Sequence, residues 1–455
     1  MSSKFVLRAV LLAGCALSPI TAQAQNLSAE EAAALRAEIQ ALRAQVEALE
    51  ARVGKAETSS AAAAETAQKA TEMAAKADDG VTIKFKGAPQ ISDEKKGWSF
   101  KPRGRLLYDF ASVNAPDGVV ATGMGFSNEL RRARLGVEGT VPGGFGYKFE
   151  IDFAGGDAEL TDAFLTYKTG GLTLTAGQHN NFQSLEELSS SNDTSFMERA
   201  AFTDAFGFER RVGISAQYHA GDLLAQAGLF TDNVDDLSSD ENDSIGGDVR
   251  IVYAPKMGET QLHFGGSGHW RSLGDSVNSV RYRQRPLVHS TDTRFVNTGT
   301  LGGVNSETAY GLEAAVISGR FHAAGEAYWQ TVELASASDP TFFGGSMEAG
   351  FFLTDDSRSY KGGVFKGVKV KNPVGSGGIG AVQFNVRYDR LDLNDAGIVG
   401  GTQDGYMASL IWTPVDYVRF MLNYARMEYK DAAIVAGTDR SYGVDVFGAR
   451  TQVSF

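Results

Sequence analysis

Residues 142–153 read Pro-Gly-Gly-Phe-Gly-Tyr-Lys-Phe-Glu-Ile-Asp-Phe. The first three are turn residues. After them Phe145, Tyr147, Phe149, Ile151 and Phe153 share one face, while Lys148, Glu150 and Asp152 share the other. A period of two is the signature of a β-strand with chemically opposite faces. The same grammar recurs along the chain. Val382, Phe384, Val386 and Tyr388 alternate with Gln383, Asn385, Arg387 and Asp389. Tyr406, Ala408, Leu410 and Trp412 run into Pro414-Val415-Asp416, and Val418, Phe420, Leu422 and Tyr424 return. Leu106, Tyr108 and Phe110 open the series, and Phe447, Ala449, Thr451, Val453 and Phe455 close it on an aromatic residue.

Strands this numerous, with short turns at one end and polar loops at the other, predict an all-β protein. The architecture expected is a transmembrane antiparallel up-and-down β-barrel. Residues 96–455 accommodate roughly 16 to 18 spanning strands of about ten residues each plus their connections. A barrel of that size encloses an aqueous channel. A soluble sandwich or solenoid is the competing fold, since it can also turn a charged face to water. Aromatic residues toward the strand ends favour the barrel, because interfacial girdles require them.

If the charged face points inward, Arg103, Arg105, Arg132, Arg134, Arg211, Arg250, Arg387, Arg419 and Arg450 line the lumen. Guanidinium is permanently charged and offers a planar fork of donors, so such a wall can carry small anions. Asp109, Glu138, Glu150, Asp152, Asp162, Asp248, Glu313, Glu326 and Asp389 lie on comparable faces. Cross-strand pairing with these would leave a weakly selective lumen. Spacing alone leaves both readings open.

Composition narrows the classes. The 455 residues carry a formal charge of −12, which argues against a nucleic-acid partner. The single Cys15 gives no basis for a disulfide framework or a cysteine zinc site. His263 and His269 do not make a metal site. The acidic run Asp240-Glu241-Asn242-Asp243-Ser244 lacks the glycine placement and closing Glu of an EF-hand. No residue set supports catalysis or a cofactor.

The N-terminus reads as an address. Lys4 and Arg8 precede an apolar run from Ala9 to Ile20, and Ala22-Gln23-Ala24 fits a signal peptidase, so residues 1–24 are expected to be a signal peptide. Leu12-Ala13-Gly14-Cys15 also has the form of a lipoprotein site, but the apolar stretch ahead of it is very short. In residues 25–79, Leu35, Ile39, Leu42, Val46, Leu49 and Val53 fall at heptad spacing, predicting a periplasmic coiled-coil helix that leans toward two strands. Residues 80–95 are expected to be a linker and 96–455 the pore.

With those features in view, the chain resembles the phosphate-selective porin O/P family. The matching residues are Arg131-Arg132-Ala133-Arg134-Leu135-Gly136-Val137-Glu138-Gly139, Phe149 to Gly155, and Gly177-Gln178. Further along come Ser184 to Ser190, Phe196-Met197-Glu198-Arg199, Arg387 to Leu393 and the terminal Phe455. The resemblance implies a homotrimeric, 16-stranded barrel in the outer membrane of a Gram-negative bacterium, surrounded by its lipid. It also implies an arginine ladder, with Arg132 and Arg134 the best-matched members, and phosphate or related small anions as substrates. A third loop, about residues 178–210, would fold inward. That loop carries His179, Glu186, Glu187, Glu198, Arg199 and Arg210 as its constriction residues, and it departs from the family in having no lysine: none occurs between Lys168 and Lys256. A general, weakly selective porin remains the alternative. So does an envelope tether that contacts the cell wall through the coiled coil.

Overall fold

The computed structural model describes residues 80–236, 243–274 and 277–455, together with Arg43. The expected signal peptide and coiled coil therefore lie outside the described residues.

Sixteen antiparallel strands form the wall. In chain order, β1 is Trp98–Asn114, β2 Gly125–Val141, β3 Phe145–Asp152 and β4 Glu159–Thr169. Next come β5 Leu172–Asn180, β6 Arg210–Ala220, β7 Leu223–Phe230 and β8 Ile245–Tyr253. They are followed by β9 Thr260–Ser272, β10 Val304–Ser318, β11 Phe321–Leu334 and β12 Thr341–Phe352. The last four are β13 Ala381–Asp395, β14 Ile398–Val415, β15 Val418–Lys430 and β16 Tyr442–Ser454. Each strand pairs with the next, and β16 returns to β1 with Asp445 opposite Asn114 and Ser454 opposite Arg105. Closure leaves the wall no free edge.

The faces are inverted relative to a water-soluble fold. Along β13, Gln383, Asn385, Arg387 and Asp389 are buried, whereas Phe384 is 44% and Val386 47% exposed. Leu165, Ile214, Leu312, Met347 and Leu422 continue this apolar outer surface around the wall. A surface of that kind is stable only against lipid, so the barrel reading prevails over the sandwich.

One end of the barrel carries tight turns. Gly170, Gly221 and Gly319 open three two-residue turns with φ of 55°, 60° and 56°, values that glycine adopts without a Cβ penalty. The segment 80–95, expected as a linker, forms a β-hairpin of Val81–Lys86 with Ala88–Asp93 below this end. Its alternation of Val81, Ile83 and Phe85 with Thr82 and Lys84 is itself a strand pattern. Asp93 pairs opposite Trp98 at the start of β1.

The lumen is largely filled. The segment 181–209, between β5 and β6, folds inward with two short helices, α1 (Leu185–Leu188) and α2 (Ala201–Ala205). Phe196, Phe202, Phe206 and Phe208 from this loop join Tyr282, Leu287, Val288 and Phe295 from the β9–β10 connection in one apolar core. From the opposite end, the long β12–β13 connection sends up a small hairpin of Ser359–Lys361 with Val364–Lys366. Its Val364 and Phe365 pack against Leu185, Ala315 and Ile317. These plugs occupy the side of the lumen facing β9 to β16.

Candidate functional site

The open volume runs along the opposite wall as two cavities. The outer one, about 230 Å³, is bounded by β2, the inward loop and the β9–β10 connection. The inner one, about 400 Å³, is bounded by β1 to β8, the inward loop and the tip of the 359–366 hairpin. Five residues line both cavities: Arg132, Arg134, Glu187, Arg199 and Arg210. They mark the junction between the two cavities.

Local sequence explains how β2 brings its arginines there. Opposite Leu107 stands Arg132, but opposite Tyr108 stands Leu130, so Arg131 is an extra residue in the ladder. This β-bulge shifts the parity of the strand. Leu130 and Leu135 both face outward, five positions apart, and the consecutive Arg131 and Arg132 both line the outer cavity. That odd spacing of leucines was the sequence signal for Arg131, which alternation alone assigns to the wrong face.

The nine arginines expected along the lumen divide by partner. Arg103 pairs with Glu138, and Arg105 reaches Glu150 at 3.4 Å and Ser191 Oγ at 2.9 Å. Arg134 holds Asp152 at 2.7 Å and Glu150 at 3.3 Å. All three line the open path. Arg132 lines it too, and it has no carboxylate within ion-pair distance among the described residues; its Nε is buried without a hydrogen-bond partner.

Arg387, Arg419 and Arg450 lie behind the inward loop and fasten it. Arg387 donates to Glu186 at 3.0 Å and to the Glu198 carbonyl at 3.1 Å. Arg419 donates to the carbonyls of Asn192 and Thr194. Arg450, fully buried, holds Asp109 at 2.6 Å, Glu198 at 2.9 Å and the Met197 carbonyl. Arg358, which sequence reading did not single out, adds bonds to Ser195 and the Asp193 carbonyl. Carboxylates of the wall complete the clamp: Glu326 accepts from the amides of Leu185 and Glu186, and Asp389 from that of Ala201. Arg250 instead fixes the opposing hairpin through the Gly363 carbonyl, with Glu313 and Gln226 as its other partners. Arg211 lines neither cavity and sits beside Asp232 and Glu209, the latter facing the outer cavity.

The expected constriction residues are likewise distributed. Arg199 donates to the carbonyls of Glu186, Glu187 and Ser189, closing the end of α1, and its Nη1 lies 3.3 Å from the Glu187 carboxylate. Arg210 pairs with Asp162 at 2.8 Å, and Lys148 shares that carboxylate. Glu198 faces the outer cavity and bonds Arg131 through two nitrogens. Glu186 is committed to Arg387 and the Ala200 amide. His179 lines the inner cavity, its ring nitrogens bonded to the Gly177 carbonyl and Ser215 Oγ, both at 2.8 Å. Although the inward loop itself has no lysine, Lys148 from β3 and Lys366 from the hairpin line the inner cavity. His263 and His269 have separate partners, Tyr360 and Asp248.

The balance of charge follows. Nine cationic side chains line the inner cavity, against two carboxylates, Asp162 and Glu187. The protein as a whole has the opposite sign, at −12. Glu138, Glu150, Asp152 and Glu313 neutralise four of the nine, which leaves a smaller net positive charge around the inner cavity.

Comparison with known proteins agrees with the fold. The family profile described as phosphate-selective porin O and P matches residues 100–455. An uncharacterised protein of Caulobacter vibrioides is 48% identical over 98% of this chain and 95% of its own length. Porin O of Pseudomonas aeruginosa is 27% identical, covering 71% of this chain and 79% of the relative. Among solved structures, the anion-selective porin from Comamonas acidovorans superposes with a TM-score of 0.50 at 13% identity, covering 79% of this chain and 100% of that one. A loop-deletion form of OmpT from Vibrio cholerae gives 0.51 at 12% identity, covering 79% and 99%. At those identities the structures speak for the barrel alone.

Proposed function

The chain belongs to the phosphate-selective porin O and P family and resides in the outer membrane, and from that premise we propose that it is a passive pore for small anions, with phosphate among its substrates. The observation that carries the reading is that nine cations line the inner cavity against six carboxylates that line it or pair with them, and that Arg132 at the junction has no carboxylate partner among the described residues. A low-dielectric wall around such a cluster focuses its field and raises the local anion concentration. Guanidinium forks then replace part of the hydration shell of an oxyanion without needing lysine. The paired arginines remain useful, because a salt bridge uses only some of the five N–H donors of a guanidinium. Diffusion down a gradient supplies the driving force, and no cofactor enters. A homotrimer belongs to the reading on the strength of the family resemblance.

The test is block of chloride current by inorganic phosphate in planar bilayers, comparing the wild type with Arg132→Ala. Block that weakens in the variant is expected. A wild type indifferent to phosphate would remove phosphate from the proposal, and identical block in both proteins would remove Arg132.

A further inference from the structure

Glu187 is the one carboxylate among the five residues that line both cavities; the other four are the guanidinium groups of Arg132, Arg134, Arg199 and Arg210. Three of those already have close partners elsewhere. Arg134 is held by Asp152 and Glu150, Arg210 by Asp162, and Arg199 by three carbonyls of the loop. The Glu187 carboxylate makes a single ion pair, to Arg199 at 3.3 Å. The amide of Glu187 bonds Ser184 Oγ and its carbonyl accepts from Arg199, so its backbone is fixed while its side chain is lightly held.

Resting on the anion-pore reading above, we infer that Glu187 is a tethered counter-ion: it occupies the guanidinium cluster between passages and competes with the mobile anion for it. A pore must bind its ion strongly enough to admit it and weakly enough to release it. Four guanidinium groups around one narrow junction, one of them unpaired, would hold an oxyanion too long. A carboxylate on a two-methylene arm returns to the cluster as the anion leaves and shortens its stay. Glu187 thereby sets the trade between affinity and throughput, and oxyanions able to displace a carboxylate are the substrates that pass.

The experiment measures phosphate block of single-channel chloride current for the wild type, Glu187→Gln, Glu187→Ala and Glu187→Asp. The neutral variants keep the loop closed, because Arg199 grips main-chain carbonyls, and heat-modifiable gel mobility checks that each barrel has formed. In both neutral variants the phosphate concentration for half-block should fall by about tenfold or more, the scale of one unit charge a few ångströms away in a wet site. Phosphate-induced closures should lengthen in parallel, and Glu187→Asp should stay near the wild type. Half-block and closure times unchanged in both neutral variants would overturn the inference and leave Glu187 as a clamp on Arg199. A wild type without chloride preference would instead overturn the anion-pore reading itself.

Discussion

Replacing Arg450 with Met should loosen the constriction without dismantling the barrel. The Arg450 guanidinium is fully buried between the wall and the inward loop, holding Asp109 through two nitrogens at 2.6 Å and Glu198 at 2.9 Å. Methionine keeps much of the packing volume but leaves the Asp109 carboxylate, 1% exposed, without its counter-charge. Breaking a buried pair from one side costs about 3–5 kcal/mol. Glu198 keeps its two bonds to Arg131, and Arg387 and Arg419 still grip the loop elsewhere, so the loss falls on the closed position around Met197 and Glu198. At about 1.4 kcal/mol per decade, loop excursions should become more frequent by about two to four orders of magnitude. Single-channel recording should show added open-state noise and a larger mean current than the wild type. Adding Asp109→Asn removes the stranded charge and should restore part of the quiet behaviour, a coupling that a double-mutant cycle reads directly. Current amplitude and noise identical to the wild type in Arg450→Met would refute the view that this arginine holds the loop.

Three further outcomes are expected. Arg132→Ala should lower the chloride-over-potassium permeability ratio, whereas Arg320→Ala, whose guanidinium bonds the carbonyls of Phe352 and Leu353 and lines neither cavity, should leave the ratio unchanged; zero-current potentials measure both. Phe202→Ala should lower the temperature of the heat-modifiable gel shift, because Phe202 stacks on Tyr328 at 5.3 Å within the apolar plug and its truncation costs about 3–5 kcal/mol. Gly177→Ala should impair refolding into detergent: Gly177 has φ of 120°, and an added Cβ would sit 2.3 Å from the Ala163 carbonyl oxygen, so the variant loses more than about 1 kcal/mol.

The wall was legible in the sequence because lipid outside and water inside impose opposite chemistry on alternate residues. The 145–153 run announces β3 for that reason, and 382–389 announces β13. The hairpin at 81–93 was equally legible, in the alternation of Val81, Ile83 and Phe85 with Thr82 and Lys84, a strand pattern where a linker was expected. What filled the lumen was harder to read. Arg387, Arg419 and Arg450 look identical to Arg132 by spacing, and only three-dimensional placement separates the loop's anchors from the residue facing the path. Their partners lie some 190 to 250 positions away in the chain. The bulge at Arg131 left a trace, since Leu130 and Leu135 cannot share a face without it. The inner cavity's lysines, Lys148 and Lys366, come from a wall strand and from the connection at the opposite end. The lysine-free inward loop therefore carries no sign of either.

The most direct test of the account is the zero-current potential of the purified protein in a planar bilayer under a KCl gradient. The cation-lined inner cavity predicts a potential of the sign set by chloride, and one that moves toward zero when Arg132 is replaced by Ala. A potential of the sign set by potassium would contradict it, and would mean that Glu187, Glu198 and their neighbours govern the passage.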